Sequence, residues 1–220
     1  MSEMVKVVVD AMGGDNAPEE PVKAAVEAVK EKENIQVILT GVQDVIEAEL
    51  RKYPDYPKDR IRVVHVKKQE ADAFVSSGST GAVLVGGQVI VGRIQGIRRP
   101  PLAPLIPTAK GVSLLIDCGA NVDARPDHLV QFAQMGSIYM EDVVGIKNPR
   151  VAIVNIGAEE EKGNALVKET FPLLKECPDI NFIGSVEARE IPYGDVDVIV
   201  CEAFVGNVIL KLYEGVAGAL

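Results

Sequence analysis

Four times along this chain an apolar run ends in a glycine-bearing polar turn that opens into a helical pattern. The first turn is Asp10-Ala11-Met12-Gly13-Gly14-Asp15, after the run 5–9 and before Asn16-Ala17-Pro18-Glu19-Glu20. The others are Gly78-Ser79-Thr80-Gly81, residues 157–163 and residues 202–207. Glycines at a strand-to-helix junction let backbone N–H groups approach an anion closely, at the helix end whose dipole favours negative charge. The pattern predicts an active-site rim suited to phosphate or another oxyanion.

The runs that lead into these turns are mostly unbroken rather than alternating, as in strands buried on both faces. We read strands at 6–10, 36–40, 62–66, 73–76, 112–118, 151–156, 181–184 and 196–201. Helical stripes lie between them. Val22, Ala25, Val26 and Val29 share one face, with Glu19 and Glu20 in the first turn where the dipole favours acids. A longer helix follows Pro126, and another carries Leu166, Thr170 and Leu174, with Pro172 expected to kink it or end it early. Alternating strands and helices imply an α/β fold with a doubly wound, mostly parallel sheet. The chain has 220 residues, 47% hydrophobic but only 5% aromatic and without Trp, so the core must be Val, Ile, Leu and Ala. We expect a single α/β domain over 1–220.

Two places break the pattern. Only Lys67-Lys68-Gln69-Glu70 separates Val66 from Ala71, whereas a parallel crossover needs about a dozen residues or more. The two strands form a hairpin, or an internal segment near 66–71 is missing. At the end, 208–220 begins a helical pattern that stops without a cap, which reads as a missing C-terminal continuation after 220. The Pro-rich stretch 99–107 reads as a connection and not as an inner strand.

Net charge is −9, with both signs interspersed, which argues against nucleic acid as a partner. No run approaches the ~18 apolar residues of a membrane span. Met1-Ser2-Glu3 is acidic and the first apolar run already reads as a strand, so no signal peptide and a cytoplasmic location are expected. Cys118, Cys177 and Cys201 are far apart and form no metal-ligand spacing, so we expect reduced, mostly buried thiols and no metal.

Each turn has a functional and a local reading. Gly13 and Gly14 can cradle phosphate, or Asp10 and Asp15 can instead orient a metal or a lysine; the local reading is an ordinary βα turn with Asp as a local cap. The spacing is neither G-x-G-x-x-G nor a P-loop. Ser76 to Gly81 offers hydroxyls and backbone donors at a helix N-terminus; the local reading is a cap from Ser79 or Thr80. Asp117-Cys118-Gly119-Ala120-Asn121 ends the strongest strand. Cys118 as nucleophile needs a base in reach, and neither His65 nor His128 is an obvious one; His128 reads as a surface residue at a helix start. Lys162 follows Gly157 and three acids at the start of a helix, where a cation is unusual unless it serves an anion; the local reading is a solvated lysine. Gly206-Asn207 opens the last helix, with Asn207 capping it or aiming its amide at a reacting oxygen, and Phe204 forming an apolar wall.

As an ordered set, VVVDAMGGDNAPEEPV, ADAFVSSGSTGAVL, VGRIQGIRRPPLAPLIPT, LLIDCGANVDARPDHLVQFAQMGSIY, NPRVAIVNIGAEEEKGN and DVDVIVCEAFVGNVILK span nearly the whole chain. They resemble the bacterial phosphate acyltransferase family known as PlsX, of phospholipid synthesis. The resemblance implies a fold similar to phosphotransacetylase and isopropylmalate dehydrogenase. It implies acyl-phosphate formation from an acyl-acyl-carrier-protein thioester and inorganic phosphate, by a homodimer and without a cofactor. Family catalytic roles fall on Lys162 and Asn207. Ser79, Pro101 and Glu202-Ala203 depart from the family pattern of Asn, Ala and Asp-Gly. The family also carries a basic, serine-containing helix between the strands flanking 67–70, and continues past 220 into a helical hairpin used for dimerisation and membrane contact.

On that resemblance no protein nucleophile is needed, because phosphate attacks the thioester directly. The turns holding Gly13, Gly14 and Gly78 to Gly81 are expected to bind phosphate, with Asn121, Gly157 and Gly206 completing the substrate-binding set. Lys162 neutralises phosphate or the oxyanion, and Asn207 donates to the same centre. Arg93, Arg98 and Arg99 form the densest basic cluster and are expected to face the acidic carrier protein. The competing readings are a non-catalytic phosphate- or acyl-binding module, and a dehydrogenase relative, whose nicotinamide and metal-binding acids form no ordered set here.

Overall fold

A computed structural model describes residues 4–64 and 72–219. The chain divides into two compact units, Met1–Gly92 and Arg93–Leu220. Each has its own sheet. The single domain expected from the sequence is thus drawn as two units, because an apolar run reports that a strand is buried and not which sheet it joins.

In the first unit β1 (Val5–Asp10), α1 (Glu19–Glu31), β2 (Ile35–Thr40), α2 (Gln43–Leu50), β3 (Ile61–Val63), β4 (Ala73–Val75) and α3 (Thr80–Gly86) follow in order. The sheet order is β3-β2-β1-β4, with every pairing parallel. The α1 stripe Val22, Ala25, Val26 and Val29 is buried as its spacing predicts, packed with Val37 and Leu39 of β2 and Ile46 and Leu50 of α2. Burying each such side chain is worth roughly 1.5–3 kcal/mol, so Val26→Asp breaks this layer. The third strand ends at Val63, short of the expected Val66. Val66, His65 and the four-residue connection at 67–70 lie outside the described residues. The α3 helix continues into a π-helical turn, Gly87–Val91.

The second unit begins with β5 (Leu105–Thr108), inside the Pro-rich stretch. It is an edge strand, antiparallel to β6 (Gly111–Ile116), which is where a sheet tolerates Pro107. Then come α4 (Pro126–Tyr139), β7 (Arg150–Val154), α5 (Ala165–Lys175), β8 (Asn181–Val186), β9 (Val198–Val200) and α6 (Ala203–Ala219). The order β5-β6-β9-β7-β8 places β9 between β6 and β7, all parallel.

Period-2 geometry sends alternate residues of these strands to opposite faces. Leu114, Ile116, Val151, Ile153, Val198 and Val200 pack with Leu129 and Phe132 of α4 and Phe171 and Leu174 of α5. Leu115, Ala152 and Ile199 pack on the other face with Ile209 of α6, Ile106 and Val186. Burial on both faces explains the unbroken apolar runs. Pro172 does not end α5 early: the helix runs on to Lys175. Proline can free only the Lys168 carbonyl, and buried Phe171 and Leu174 hold the last turn.

Candidate active site

In the first unit β1 and β4 are parallel neighbours with Val9 opposite Val75, so their carboxyl-end turns emerge side by side. Asp10 binds both. Its Oδ1 accepts from the Met12 N–H at 3.0 Å and its Oδ2 from the Ser76 hydroxyl at 2.8 Å. The Ser76 hydroxyl accepts from the Gly78 N–H at 3.1 Å, and Ser77 Oγ donates to the Gly13 carbonyl at 2.8 Å. A Cβ on Gly13 would stand 2.8 Å from the Gly78 nitrogen, and Gly14 has φ +89°. Glycine is thus required by close approach at one position and by backbone conformation at the next. Ser79 sits at the N-cap of α3 without a side-chain bond to it, so the simple capping reading does not hold there. Ser79, Thr80, Gly81 and Asp15 are exposed.

In the second unit Asp117 follows β6 and is fully buried. Its Oδ1 accepts from the N–H groups of Leu102 (2.9 Å), Gly119 (3.1 Å) and Ala120 (3.1 Å). Its Oδ2 accepts from the Asn121 N–H and Asn121 Nδ2, both at 2.8 Å. Asn121 Nδ2 also donates to the Pro100 carbonyl at 3.0 Å.

After β9, Glu202 caps α6 by accepting from the N–H groups of Phe204 (2.6 Å) and Val205 (2.9 Å). The helix therefore starts at Ala203, before the expected Gly206-Asn207 opening, and Asn207 is not its cap. The local rule that favours Asn at a cap overlooked a glutamate that reaches the same donors. A Cβ on Gly206 would lie 2.0 Å from the Asp117 carbonyl oxygen, so the first turn of α6 rests on the backbone of Asp117 and Cys118. Asn207, an exposed residue, donates from Nδ2 to the Cys118 carbonyl at 3.2 Å. A primary amide has two donors, and this contact uses one.

After β7, Asn155 organises the third turn. It donates to the Lys162 carbonyl at 3.3 Å and to Ser185 Oγ at 3.1 Å, and its Oδ1 accepts from the Ile156 N–H at 2.8 Å. Asn164 caps α5 through the Val167 N–H at 2.9 Å. The Lys162 side chain folds over Gly157, where a Cβ would meet its Cδ at 2.6 Å. Lys162 Nζ pairs with Glu159 Oε2 at 2.8 Å, and that hydrogen bond holds the ammonium above its usual pKa. The lysine is half exposed, charged, and partnered by an exposed carboxylate. Asn155 and Glu159 were given no role from sequence; a polar residue ending an apolar strand before a glycine turn was the available signal.

The thiols do not fit nucleophiles. Burial first, and then Asp117, push Cys118 up to about 11. Cys201 is raised by burial and donates to the Asp117 carbonyl at 3.4 Å. The thiolate is the reactive form. His128 is buried, not a surface residue: its Nδ1 accepts from the Arg125 N–H at 3.2 Å. Burial, then Arg125, Arg99 and Arg98, lower its pKa.

Arg93, Arg98 and Arg99 are all exposed. Arg98 pairs with Asp127 and its N–H donates to Gln131 Oε1 at 3.0 Å, while Arg93 donates to the Arg98 carbonyl. The basic loop is thus pinned to the start of α4. Arg125, 3.5 Å from Asp127, adds a cation that sequence reading left out of the cluster.

A family model described as "Fatty acid synthesis protein" matches residues 5–67 and 60–220. A phosphate acyltransferase of Alkaliphilus oremlandii is 53% identical over 245 positions, covering 98% of this chain and 72% of that protein. This chain belongs to the phosphate acyltransferase (PlsX) family. Another phosphate acyltransferase, of Clostridium novyi, is 46% identical over 98% of this chain and 73% of its own length. The first alignment is longer than this chain's 220 residues, so that phosphate acyltransferase has residues that this chain lacks.

The fold is shared more widely. The EutD phosphotransacetylase from Staphylococcus aureus matches with a TM-score of 0.71 at 16% identity, covering 98% of this chain and 83% of its own. A protein from Salmonella typhimurium described as "a putative 4-hydroxythreonine-4-phosphate dehydrogenase" matches with a TM-score of 0.56 at 11% identity, covering 96% of this chain and 85% of its own. The α/β fold expected of a phosphate acyltransferase is therefore present. Within the second unit, the turns carrying Asn121, Lys162 and Asn207 follow the adjacent parallel strands β6, β7 and β9. Gly13, Gly14, Ser76 and Gly78 come together in the first. Among the described residues, no helix is long and apolar enough to cross a membrane.

Proposed function

We propose that this chain transfers the acyl group of an acyl-acyl-carrier-protein thioester to inorganic phosphate, for phospholipid synthesis. The observation that carries this reading is that, in a chain of the phosphate acyltransferase family, the segments bearing Lys162 and Asn207 follow the neighbouring parallel strands β7 and β9. Ligands of open α/β sheets bind at such strand ends.

A phosphate oxygen attacks the thioester carbonyl carbon and forms the new C–O bond. The carbonyl oxygen becomes a tetrahedral oxyanion. Its collapse breaks the C–S bond and releases the carrier thiolate, which takes up a proton. The protein's task is to orient the reactants and stabilise the oxyanion, not to supply a nucleophile. Lys162 offers a mobile ammonium once Glu159 gives way, and Asn207 offers the amide N–H that Cys118 does not use. Within the first unit, the paired glycine turns offer backbone and hydroxyl donors to an anion. Arg93, Arg98 and Arg99 offer the acidic carrier a basic face.

The test is acyl-phosphate formation from acyl-carrier protein and phosphate by the full chain and by Lys162→Ala. Turnover in the parent with collapse in a folded variant supports the reading. Equal turnover in both removes Lys162 from it, and an inactive parent overturns it.

A further inference from the structure

Asn207 is exposed, yet its placement is fixed from below. Its amide is anchored to the Cys118 carbonyl, and the preceding residue, Gly206, leaves no room for a Cβ above the Asp117 carbonyl. The position of the amide therefore follows the position of the Asp117–Cys118 backbone. The Asp117 carboxylate organises the chain around that backbone. Five N–H donors converge on it, from Leu102, Gly119, Ala120 and, twice, Asn121. A carboxylate has about four lone-pair sites, so its acceptor capacity is full. The network also reaches α6 directly, because the Asn121 carbonyl accepts from the Ala203 N–H at 3.2 Å. Asp117 thus ties the end of β6, the segment 100–102 and the first turn of α6 into one frame.

We infer that Asp117 is a positioning residue for this reaction: it holds the Asn207 amide where the oxyanion forms. Fully buried and saturated, its carboxylate is not placed to touch substrate, so it acts through Asn207. The inference rests on the oxyanion role proposed for Asn207. Replacing Asp117 by Asn keeps the shape but puts an NH2 against converging N–H donors. The frame must shift, and a displacement on the order of 1 Å in a positioning group costs ~10²-fold in rate.

The test is a double-mutant cycle on the full chain, with acyl-phosphate kinetics, thermal unfolding, and NMR of the Asn207 side-chain amide. Asn207→Ala is expected to lower kcat by ~10²–10³-fold. Asp117→Asn is expected to lower kcat by ~10²-fold with KM for phosphate little changed, and to shift or broaden the Asn207 amide resonance. Added to Asn207→Ala, it should cost almost nothing more in kcat, because its effect passes through the amide already removed. If Asp117→Asn does not fold, Asn121→Ala removes one side-chain donor from the same carboxylate. It is expected to show a smaller kcat loss that likewise vanishes in the Asn207→Ala background. Multiplicative losses in the cycle, or a variant with unchanged kcat and amide resonance, overturn the inference while leaving the oxyanion role of Asn207 standing. An Asn207→Ala protein with parental kcat instead overturns the oxyanion role, and the inference with it.

Discussion

The two units build strand-end turns from the same grammar but stiffen them differently. In the first unit, Asp10 receives two hydrogen bonds, from Met12 and Ser76, and the surrounding Ser77, Ser79 and Thr80 are exposed. In the second, Asp117 is fully buried and receives five. An acidic residue ending an apolar strand is thus a local turn organiser in one place and the centre of a packed frame in the other. Oxyanion stabilisation depends on donors that do not need to reorganise. Under the proposed function, the more heavily bonded turn of the second unit is the one that serves that task.

The sharpest way to break the comparison is through glycine. Gly206→Ala forces a Cβ to within 2.0 Å of the Asp117 carbonyl oxygen, a backbone atom that cannot swing aside. We expect a loss of roughly 3 kcal/mol or more, seen as loss of soluble protein or a large drop in Tm. Gly81→Ala in the first unit meets nothing nearer than Ser79 Oγ at 3.8 Å and should stay within about 0.5 kcal/mol of the parent.

The carboxylates come next. Asp117→Ala leaves buried N–H groups unpaired, each costing about 1–3 kcal/mol, and denaturant unfolding should register a loss of about 3 kcal/mol or more. Asp10→Ala, whose donors lie closer to water, should cost about 1 kcal/mol. Equal losses would erase the distinction between the turns.

Acid provides a smaller contrast. Burial pushes Asp197 up, but Arg150 reverses this, through its side chain at 2.9 Å and 3.0 Å and its backbone N–H at 2.7 Å, so the carboxyl titrates below its usual value. The stabilisation is therefore present above the unfolded carboxyl value near pH 4 and is lost as pH falls through the lower folded value. This pair joins β7 to β9 in the second unit. Tm followed from pH 5 down to pH 2 should fall less steeply in Asp197→Asn than in the parent.

The smallest effect concerns the basic loop. Arg98→Ala with Arg99→Ala should weaken carrier-protein binding at low salt and flatten its salt dependence, as exposed charges are screened over about 8–10 Å. Binding that stays equally salt-dependent in the variant removes this loop from the docking face.

The strands buried on both faces, the α1 stripe and the strand-end turns were legible in the sequence because such burial leaves unbroken apolar runs, whereas the edge strand β5 was hidden inside the Pro-rich stretch. What was not legible depends on contacts distant along the chain. Nothing near Asp117 announces that Leu102 will donate to it, or that Gly206 will rest on its carbonyl. The Glu202 cap was hidden because glutamate is a rare cap, and the burial of His128 because one turn of sequence does not show what covers it. Lys162 and Asn207 were visible as motif residues, whereas the Glu159 pairing and the Asn155 bracket required the folded turn.

The most direct measurement incubates the full chain with acyl-carrier protein and radiolabelled phosphate, following both the acyl phosphate and the carrier thiol. The account predicts labelled acyl phosphate in one-to-one ratio with released thiol, and the loss of both in Lys162→Ala. Thiol released with free fatty acid and no labelled acyl phosphate, or no turnover at all, would contradict it.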